Sequence, residues 1–219
     1  PTNFYITLSP EAIKITNAEL EDVEVVISPD HRSFSHTNPL RGLAAGGTFI
    51  LQSSSTPEEV WQELPPQARK TIREKKINFL IIDAFAVAKK HAPIPELETR
   101  MMGIAFIGAV AGHVDRVSEG ASEKIILEKI RKQISKKFGS KGGTVIEGNM
   151  EVIREGIEST QRVNYEAPAF VKIDARPAPI ALRNVSLSAS MCQPTGSSSC
   201  GGLFDREYYN DMIATPFRE

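Results

Sequence analysis

The stretch between residues 31 and 41 concentrates side chains that could bind a phosphate. Its basic, hydroxyl and amide groups come from Arg32, Ser35, His36, Thr37, Asn38 and Arg41. The stretch lies between a predicted strand and a predicted helix, and ligands of open α/β sheets bind beside the carboxyl ends of strands. A helix N-terminus with cationic neighbours can hold an anion. The alternative is a solvated loop in which Asn38 only caps the helix, and the residues taken alone favour that alternative.

Two further charged residues are weaker candidates for a site. Asp83 follows the apolar stretch 77–82 and is typical of a helix cap rather than of a catalytic group. Arg100 stands at the start of an apolar helix and indicates an ion pair, either within the chain or at an interface. The glycine-rich run 139–143 looks like a phosphate loop, but it lies between two predicted helices and therefore indicates a flexible turn.

The chain lacks the residues that self-sufficient redox chemistry requires. No G-x-G-x-x-G pattern follows a predicted strand, which leaves a dinucleotide site unsupported. Its two cysteines, Cys192 and Cys200, have seven residues between them and no histidine nearby. That spacing fits neither a zinc site nor an iron–sulfur cluster. We therefore expect no catalytic residue, no metal and no cofactor bound by this chain alone.

Composition and charge exclude several classes of partner. The 219 residues include 26 Lys and Arg against 27 Asp and Glu, a net charge of −1, whereas nucleic-acid binding requires a basic face. The same balance excludes a polybasic membrane anchor, and no apolar run reaches the roughly 18 residues that span a bilayer. Hydrophobic residues make up 41% of the chain, enough to bury a sizeable core. Two cysteines are too few for a disulfide framework, so we expect a cytoplasmic protein.

Hydrophobic patterning predicts strands early in the chain and helices later. The predicted strands cover residues 4–8, 23–27, 48–51 and 77–82, and the predicted helices cover residues 38–46, 56–64, 67–76, 84–90, 96–112, 122–138 and 144–162. Capping-box patterns at Thr56 and Thr144 mark two of the helix starts. This order favours a layered α/β/α domain with a mixed β-sheet over residues 1–162. Residues 163–219 are proline-rich and polar, with one short predicted strand at 170–173, and indicate an extended arm or interdomain linker.

One predicted helix contains three glycines. Gly103, Gly108 and Gly112 interrupt an otherwise apolar stretch. Each glycine costs about 1 kcal/mol of helix stability relative to alanine, so such positions indicate close approach of another backbone. We predict that approach at all three.

Several stretches resemble the gamma domain of 2-oxoacid:ferredoxin oxidoreductases, the family of pyruvate:ferredoxin oxidoreductase. The first is Ser-His-Thr-Asn-Pro-Leu-Arg-Gly-Leu at 35–43, running into Gly-Gly-Thr-Phe-Ile-Leu at 46–51. The others are Ile-Ile-Asp-Ala-Phe-Ala-Val-Ala at 81–88, Thr-Arg-Met-Met-Gly-Ile-Ala at 99–105 and Lys-Lys-Phe-Gly-Ser-Lys-Gly at 136–142. The resemblance covers about residues 1–162 and begins after the glycine-rich strand–turn–helix with which many gamma domains open.

The resemblance implies a thiamine diphosphate enzyme that oxidatively decarboxylates a 2-oxo acid such as pyruvate. Such an enzyme forms an acyl-coenzyme A and passes electrons through iron–sulfur clusters to ferredoxin. Thiamine diphosphate and the clusters are then expected on thiamine-binding and ferredoxin-like domains or subunits. The gamma domain is expected to serve assembly and part of coenzyme A binding, the latter through the six candidate residues between 32 and 41.

Two other hypotheses remain at this point. A ligand-free protein-interaction module of a multisubunit complex is suggested by the arm and by the glycine-containing helix, since both suit burial against partners. A stand-alone nucleotide-binding enzyme has the least support, because no phosphate loop is present. The sequence does not determine the 2-oxo acid, the oligomeric state, or whether the chain is a whole subunit or part of a fused polypeptide.

Overall fold

A four-stranded sheet forms the middle layer of the molecule. The computed structural model describes residues 4–7, 9, 11–13, 21–92, 94–114, 122–138 and 143–174. The strands are β1 (Val23–Ser28), β2 (Leu43–Gln52), β3 (Asn78–Ile82) and β4 (Gln161–Arg162). They lie side by side in chain order; β1, β2 and β3 are parallel, and β4 runs antiparallel beside β3. The mixed sheet that the sequence predicts is therefore confirmed.

Helices cover both faces of this sheet. They are α1 (Pro57–Glu63), α2 (Pro66–Glu74), α3 (Ala84–His91), α4 (Pro95–His113), α5 (Glu123–Phe138), α6 (Gly143–Ser159) and α7 (Pro168–Asp174). The helices α1, α2 and α7 lie on one face, α3, α4 and α6 lie on the other, and α5 packs against α6. This α/β/α layering buries a parallel sheet on both sides. In the described ranges, no helix is long and apolar enough to cross a membrane.

Alternation along β2 and β3 divides the core into two halves. Phe49 and Phe79 stack with ring centroids 5.4 Å apart, on the face that α1 and α2 cover. Ile50 and Leu80 belong to the opposite half, beneath α3 and α4. All four side chains are fully buried, as expected where successive residues of a strand point to opposite faces.

Two helix starts follow from local side-chain chemistry. The Thr56 hydroxyl accepts a hydrogen bond from the Glu59 backbone at 3.4 Å, and the Glu59 carboxylate accepts one from the Thr56 backbone at 2.9 Å, so the predicted capping box is confirmed. The bond from the Thr56 backbone, together with that from its hydroxyl, lowers the pKa of Glu59. Asp83 caps α3 by accepting the Ala86 N–H at 3.1 Å, the structural role that its position predicts.

The predicted helix over residues 38–46 is wrong. Asn38 instead closes a turn, because its side-chain oxygen accepts the Leu40 N–H at 3.1 Å. Gly42 and Gly46 adopt φ angles of 74° and 73°, a left-handed conformation that stops a helix and that glycine tolerates best. Strand β2 consequently begins at Leu43, five residues before the predicted start.

Three other element predictions also differ from the structure. Residues 4–7 lie in no strand, and Phe4 and Ile6 are exposed there. Residues 170–173 belong to α7 rather than to a strand, because Phe170 packs into the core beside Trp61. Thr144 lies inside α6, which begins at Gly143 and ends at Ser159.

One of the three glycines of α4, Gly108, has the predicted backbone contact, and a second, Gly112, approaches a side chain instead. A Cβ on Gly108 would collide with the Ile153 carbonyl oxygen, and one on Gly112 would lie 2.7 Å from the Ile157 side chain. Gly156 makes the corresponding contact from α6, since a Cβ added there would lie 2.5 Å from the Ala105 carbonyl oxygen. The two helices therefore cross with their backbones in contact. Gly103 is the exception, because nothing lies within 4 Å of the Cβ it lacks.

Candidate functional site

The loop between β1 and β2 carries the six site residues predicted from the sequence. It leaves the sheet after Ser28, at the carboxyl end of β1, and returns at the amino end, where the Val23 N–H donates to the Gly42 carbonyl at 2.9 Å. The strand register accordingly pairs Val23 with Leu43. The loop therefore runs back along the length of β1, about 17 Å at a rise of roughly 3.3 Å per residue.

Hydrogen bonds within the loop and one aromatic contact hold its shape. The Asp30 carboxylate accepts the Arg32 N–H at 2.9 Å, and the Ser35 hydroxyl donates to the Arg32 carbonyl at 2.6 Å. Residues 33–35 form a short 3-10 helix. From its middle, the Phe34 ring packs edge-on against Phe49 of β2 at 5.7 Å. The exposed side chains are thus carried on a backbone that is anchored to the core.

The structure spreads the six candidates along this loop instead of gathering them at one point. Arg32, Ser35 and His36 are exposed in and beside the 3-10 helix, and Arg41 is exposed near the amino end of β1. Thr37 and Asn38 are half-buried between them, so the set forms a strip. No α-helix begins in the loop, and the helix N-terminus that the sequence predicts as part of the site is absent. Any anion held here would depend on side-chain charge.

Some of these polar groups are already engaged by the protein. The Ser35 hydroxyl bonds to the Arg32 carbonyl, and the Asn38 oxygen bonds to the Leu40 N–H. The exposed groups with the greatest capacity to meet a ligand are therefore the two guanidinium groups of Arg32 and Arg41 and the imidazole of His36. A guanidinium offers paired donors that match the geometry of a phosphate.

A hydrogen-bonded pair, Gln52 and Asp83, joins the carboxyl ends of β2 and β3. The sequence analysis identified Asp83 but not Gln52. Gln52, 6% exposed, donates to the Asp83 carboxylate at 3.0 Å and accepts the Ala84 N–H at 2.9 Å. These bonds satisfy the buried amide and fix the start of α3. A polar residue that ends an apolar strand is the sequence signal for this pair. Because the Asp83 carboxylate also caps α3, its role is structural.

Asp174, at the end of α7, is held by three donors that sequence reasoning did not identify. Its carboxylate accepts the Trp61 indole N–H at 2.9 Å and lies 2.9 Å from Arg69 Nε. The Arg73 guanidinium donates two bonds to the other carboxylate oxygen, at 2.8 and 2.6 Å. No local pattern signals these contacts, because Asp174 lies about a hundred residues from its partners in the chain.

An aromatic stack supports the same cluster. Trp61 and Tyr165 are stacked at 5.4 Å, and the Arg73 guanidinium lies 5.3 Å from the Trp61 ring and 5.6 Å from the Tyr165 ring. The Tyr165 hydroxyl donates to the Ile77 carbonyl at 2.9 Å, and burial raises the pKa of that phenol. Residues 163–174 thus pack against α1 and α2. The prediction of an arm or linker over 163–219 stays a prediction for residues 175–219, which lie outside the described residues.

Glu155 of α6 forms a charge cluster with the last turn of α3. Its carboxylate lies 2.8 Å from Lys90 Nζ and 2.5 Å from His91 Nε2. The hydrogen bond from Lys90 is the main cause that lowers the pKa of Glu155. Cations in the last turn of a helix also complement its dipole, so the cluster ties α3 to α6.

Metal-binding side chains do not converge in the part of the chain that the structure describes. No group of three or more His, Cys, Asp or Glu in those residues could hold a metal ion. Cys192 and Cys200 lie outside the described residues, as do residues 139–142 of the glycine-rich run. The predictions made for them, and for the cofactors of the chain, stay predictions.

Comparison with known proteins decides the family. A family model described as pyruvate ferredoxin/flavodoxin oxidoreductase matches residues 1–159. The chain belongs to this family. The resemblance seen in the sequence is therefore confirmed.

This chain spans about a tenth of the length of the curated relatives that it matches. The pyruvate-flavodoxin oxidoreductase of Trichormus variabilis is 28% identical over 132 residues, which are 59% of this chain and 10% of that protein. The pyruvate:ferredoxin oxidoreductase of Moorella thermoacetica is 26% identical over 167 residues, 76% of this chain and 14% of that protein. Among solved structures, pyruvate oxidoreductase subunit PORC of Thermotoga maritima is 21% identical with a TM-score of 0.44, covering 65% of this chain and 66% of that chain.

Proposed function

We propose that the chain is the gamma-type domain or subunit of a cytoplasmic 2-oxoacid:ferredoxin oxidoreductase that acts on pyruvate or a similar 2-oxo acid. The enzyme would oxidatively decarboxylate its substrate to an acyl-coenzyme A and pass the electrons to ferredoxin. The proposal is supported by the family match over residues 1–159 and by relatives named as pyruvate oxidoreductases. Thiamine diphosphate and iron–sulfur clusters would be held by other domains or subunits of the complete enzyme.

Within that enzyme the chain would serve assembly and coenzyme A binding rather than bond-making. Its acidic clusters are engaged in structural roles: Asp174 with two arginines, Glu155 with Lys90 and His91, and Asp83 with a helix cap. Carboxylates that are held in this way suit a domain that positions a substrate rather than one that transforms it.

Coenzyme A would lie along the loop between β1 and β2. The observation that carries this assignment is the strip of exposed cationic and imidazole groups at Arg32, His36 and Arg41, mounted on a loop that Phe34 anchors to the core. Coenzyme A is elongated and carries its phosphates at the nucleotide end. Because that end carries both a diphosphate and a separate 3′-phosphate, it offers more than one anionic group, and each arginine can form a charge-assisted bidentate contact with a phosphate.

The test is a titration of coenzyme A onto the assembled enzyme, comparing wild type with Arg32→Ala and Arg41→Ala. Loss of one phosphate contact should raise the Kd for coenzyme A about tenfold, equivalent to ~1.4 kcal/mol. Added salt should reduce the difference in Kd between wild type and variant, because it screens the charges. Arg131→Ala is the matched control, because the Arg131 side chain is 43% exposed and pairs with Glu147 of α6, away from this loop. Unchanged affinity in both loop variants would reject the site and favour the ligand-free interaction module.

A further inference from the structure

The outward side of α4 is apolar where a surface helix is ordinarily polar. Residues 101–112 contain no polar side chain, although the helix buries only part of its circumference against α3 and α6. Ile107 is 43% exposed, and Gly103, one turn earlier, is exposed as well. A helix with hydrophobic side chains on every side is ordinarily buried against other protein segments on every side. The sequence of residues 101–112 is therefore that of a fully buried helix, whereas the residues that the structure describes cover only one side of it.

Gly103 marks the centre of this uncovered side. It lies five residues before Gly108, about 140° around the helix at roughly 100° per residue, so it faces away from α6. Gly108 and Gly112 show what glycine does on this helix, since both bring a neighbouring backbone or side chain close to the missing Cβ. Gly103 has open space instead. A glycine in mid-helix sacrifices about 1 kcal/mol relative to alanine, and here no contact within the described chain offsets that loss.

Charge on the same side indicates the kind of partner. Arg100 lies three residues before Gly103 and four after Glu96, on one face of the helix. Among the described residues, Arg100 forms no ion pair. Two copies of α4 crossing antiparallel at Gly103 would set each Arg100 against the apolar turn that carries Ile107. Burying a guanidinium there without a carboxylate would be costly, so a second copy of this helix is a poor fit.

We propose that the outer face of α4, defined by Arg100, Gly103 and Ile107, docks an apolar helix from another domain or subunit of the same oxidoreductase. That helix crosses α4 at Gly103, packs a side chain against Ile107 and presents a carboxylate to Arg100. The relatives leave ample polypeptide to supply it, since the chain spans 10% and 14% of two of them. The proposal rests on membership of the larger enzyme but not on coenzyme A binding, because the loop between β1 and β2 takes no part in it.

The experiment compares two engineered cysteines in the complete enzyme. Ile107→Cys lies on the outer face of α4, and Ile125→Cys lies on α5 with nearly the same exposure in this chain, 43% against 46%. The intact enzyme is pulsed with a maleimide and digested with trypsin, and labelling is read by mass spectrometry in the peptides 101–116 and 125–129. Because the core of a protein interface excludes solvent, we expect the thiol introduced at position 107 to label at least about tenfold more slowly than the one at position 125. In urea, which unfolds the enzyme and exposes both thiols, the labelling rates at positions 107 and 125 should become equal.

A cross-linking experiment identifies the occupant. A benzophenone attached to the thiol of the Ile107→Cys variant should join peptide 101–116 to a peptide from another part of the enzyme. Adding Arg100→Glu should reduce the yield, which is then read in peptide 91–116 because the trypsin site at position 100 is lost. Equal labelling of the two thiols in the native enzyme would overturn the proposal, as would capture of peptide 101–116 from a second copy. Coenzyme A affinity should be unchanged in Ile107→Cys, which separates this result from a failure of the proposed coenzyme A site.

Discussion

Replacing Gly156 with alanine tests whether the crossing of α4 and α6 depends on direct backbone contact. The added Cβ would lie 2.5 Å from the Ala105 carbonyl oxygen and 3.2 Å from the Ala105 Cα. Both atoms belong to the backbone of α4, so neither can rotate away. Relief requires the two helices to separate, which loosens the packing of Ala105 and Val152 in the half of the core beneath α3 and α4. Overpacking of this kind costs about 1–3 kcal/mol.

Gly148→Ala is the matched control because it lies on the same helix. Nothing lies within 4 Å of the Cβ that Gly148 lacks, so this substitution contributes only the helix propensity of alanine, a gain of up to about 1 kcal/mol. The same gain is present in Gly156→Ala. The difference between the two variants therefore isolates the steric cost, and we expect it to be about 1–3 kcal/mol with Gly156→Ala the less stable.

Urea unfolding followed by fluorescence measures the difference. Trp61 is the single tryptophan of the chain and is fully buried, so its emission reports loss of the core. With an m-value of about 2 kcal/mol per M, the midpoint of Gly156→Ala should lie roughly 0.5–1.5 M below that of Gly148→Ala. Equal midpoints for the two variants would refute the claim that the backbones touch at this crossing.

Two further predictions concern charge. Asp174→Ala should lower the free energy of unfolding by about 2–4 kcal/mol, because Arg69, 8% exposed, loses its carboxylate; Glu151→Ala, which breaks an exposed pair, should change it by less than about 0.5 kcal/mol in the same urea assay. For Glu155, the hydrogen bond from Lys90 lowers the pKa below its ordinary value of 4.5. The ionised carboxylate therefore stabilises the folded chain fully at pH values above 4.5. This stabilisation is lost as the pH falls through the lower pKa that Glu155 has in the folded state. Glu155→Gln should therefore show a flatter fall in melting temperature below pH 4.5 than wild type, and parallel curves would contradict this account.

Short-range patterns predicted most of the helices correctly because helix starts are local events. The capping box at Thr56 needs only residues three positions apart, and the cap at Asp83 needs only the next turn. The strands β1 and β3 were also predictable from runs of apolar residues bounded by turn signals. The helix expected at 38–46 failed because Asn38 and Pro39 suit a turn as well as a helix start. Only the pairing of β2 with β1 decides between them.

The candidate site was predictable as a set of residues but not as a shape. Composition marked the stretch containing Arg32 and Arg41 as rich in phosphate-binding groups, and that set stays a prediction. The sequence did not indicate that the loop returns along β1, so that Arg41 lies near the amino end of that strand while Arg32 lies near its carboxyl half. It also gave no sign that the Ser35 hydroxyl would be engaged by the loop itself.

The sequence by itself determined the family, the layered α/β class and the absence of a dinucleotide motif, because these depend on residue types at fixed spacings along the chain. The tertiary structure alone decided which glycines touch a neighbour, since Gly103 and Gly108 look alike in the sequence and differ only in what faces them. It likewise decided that Asp174 meets Arg69 and Arg73 across about a hundred residues of chain. Contacts of that range depend on how the layers dock, which no local pattern encodes.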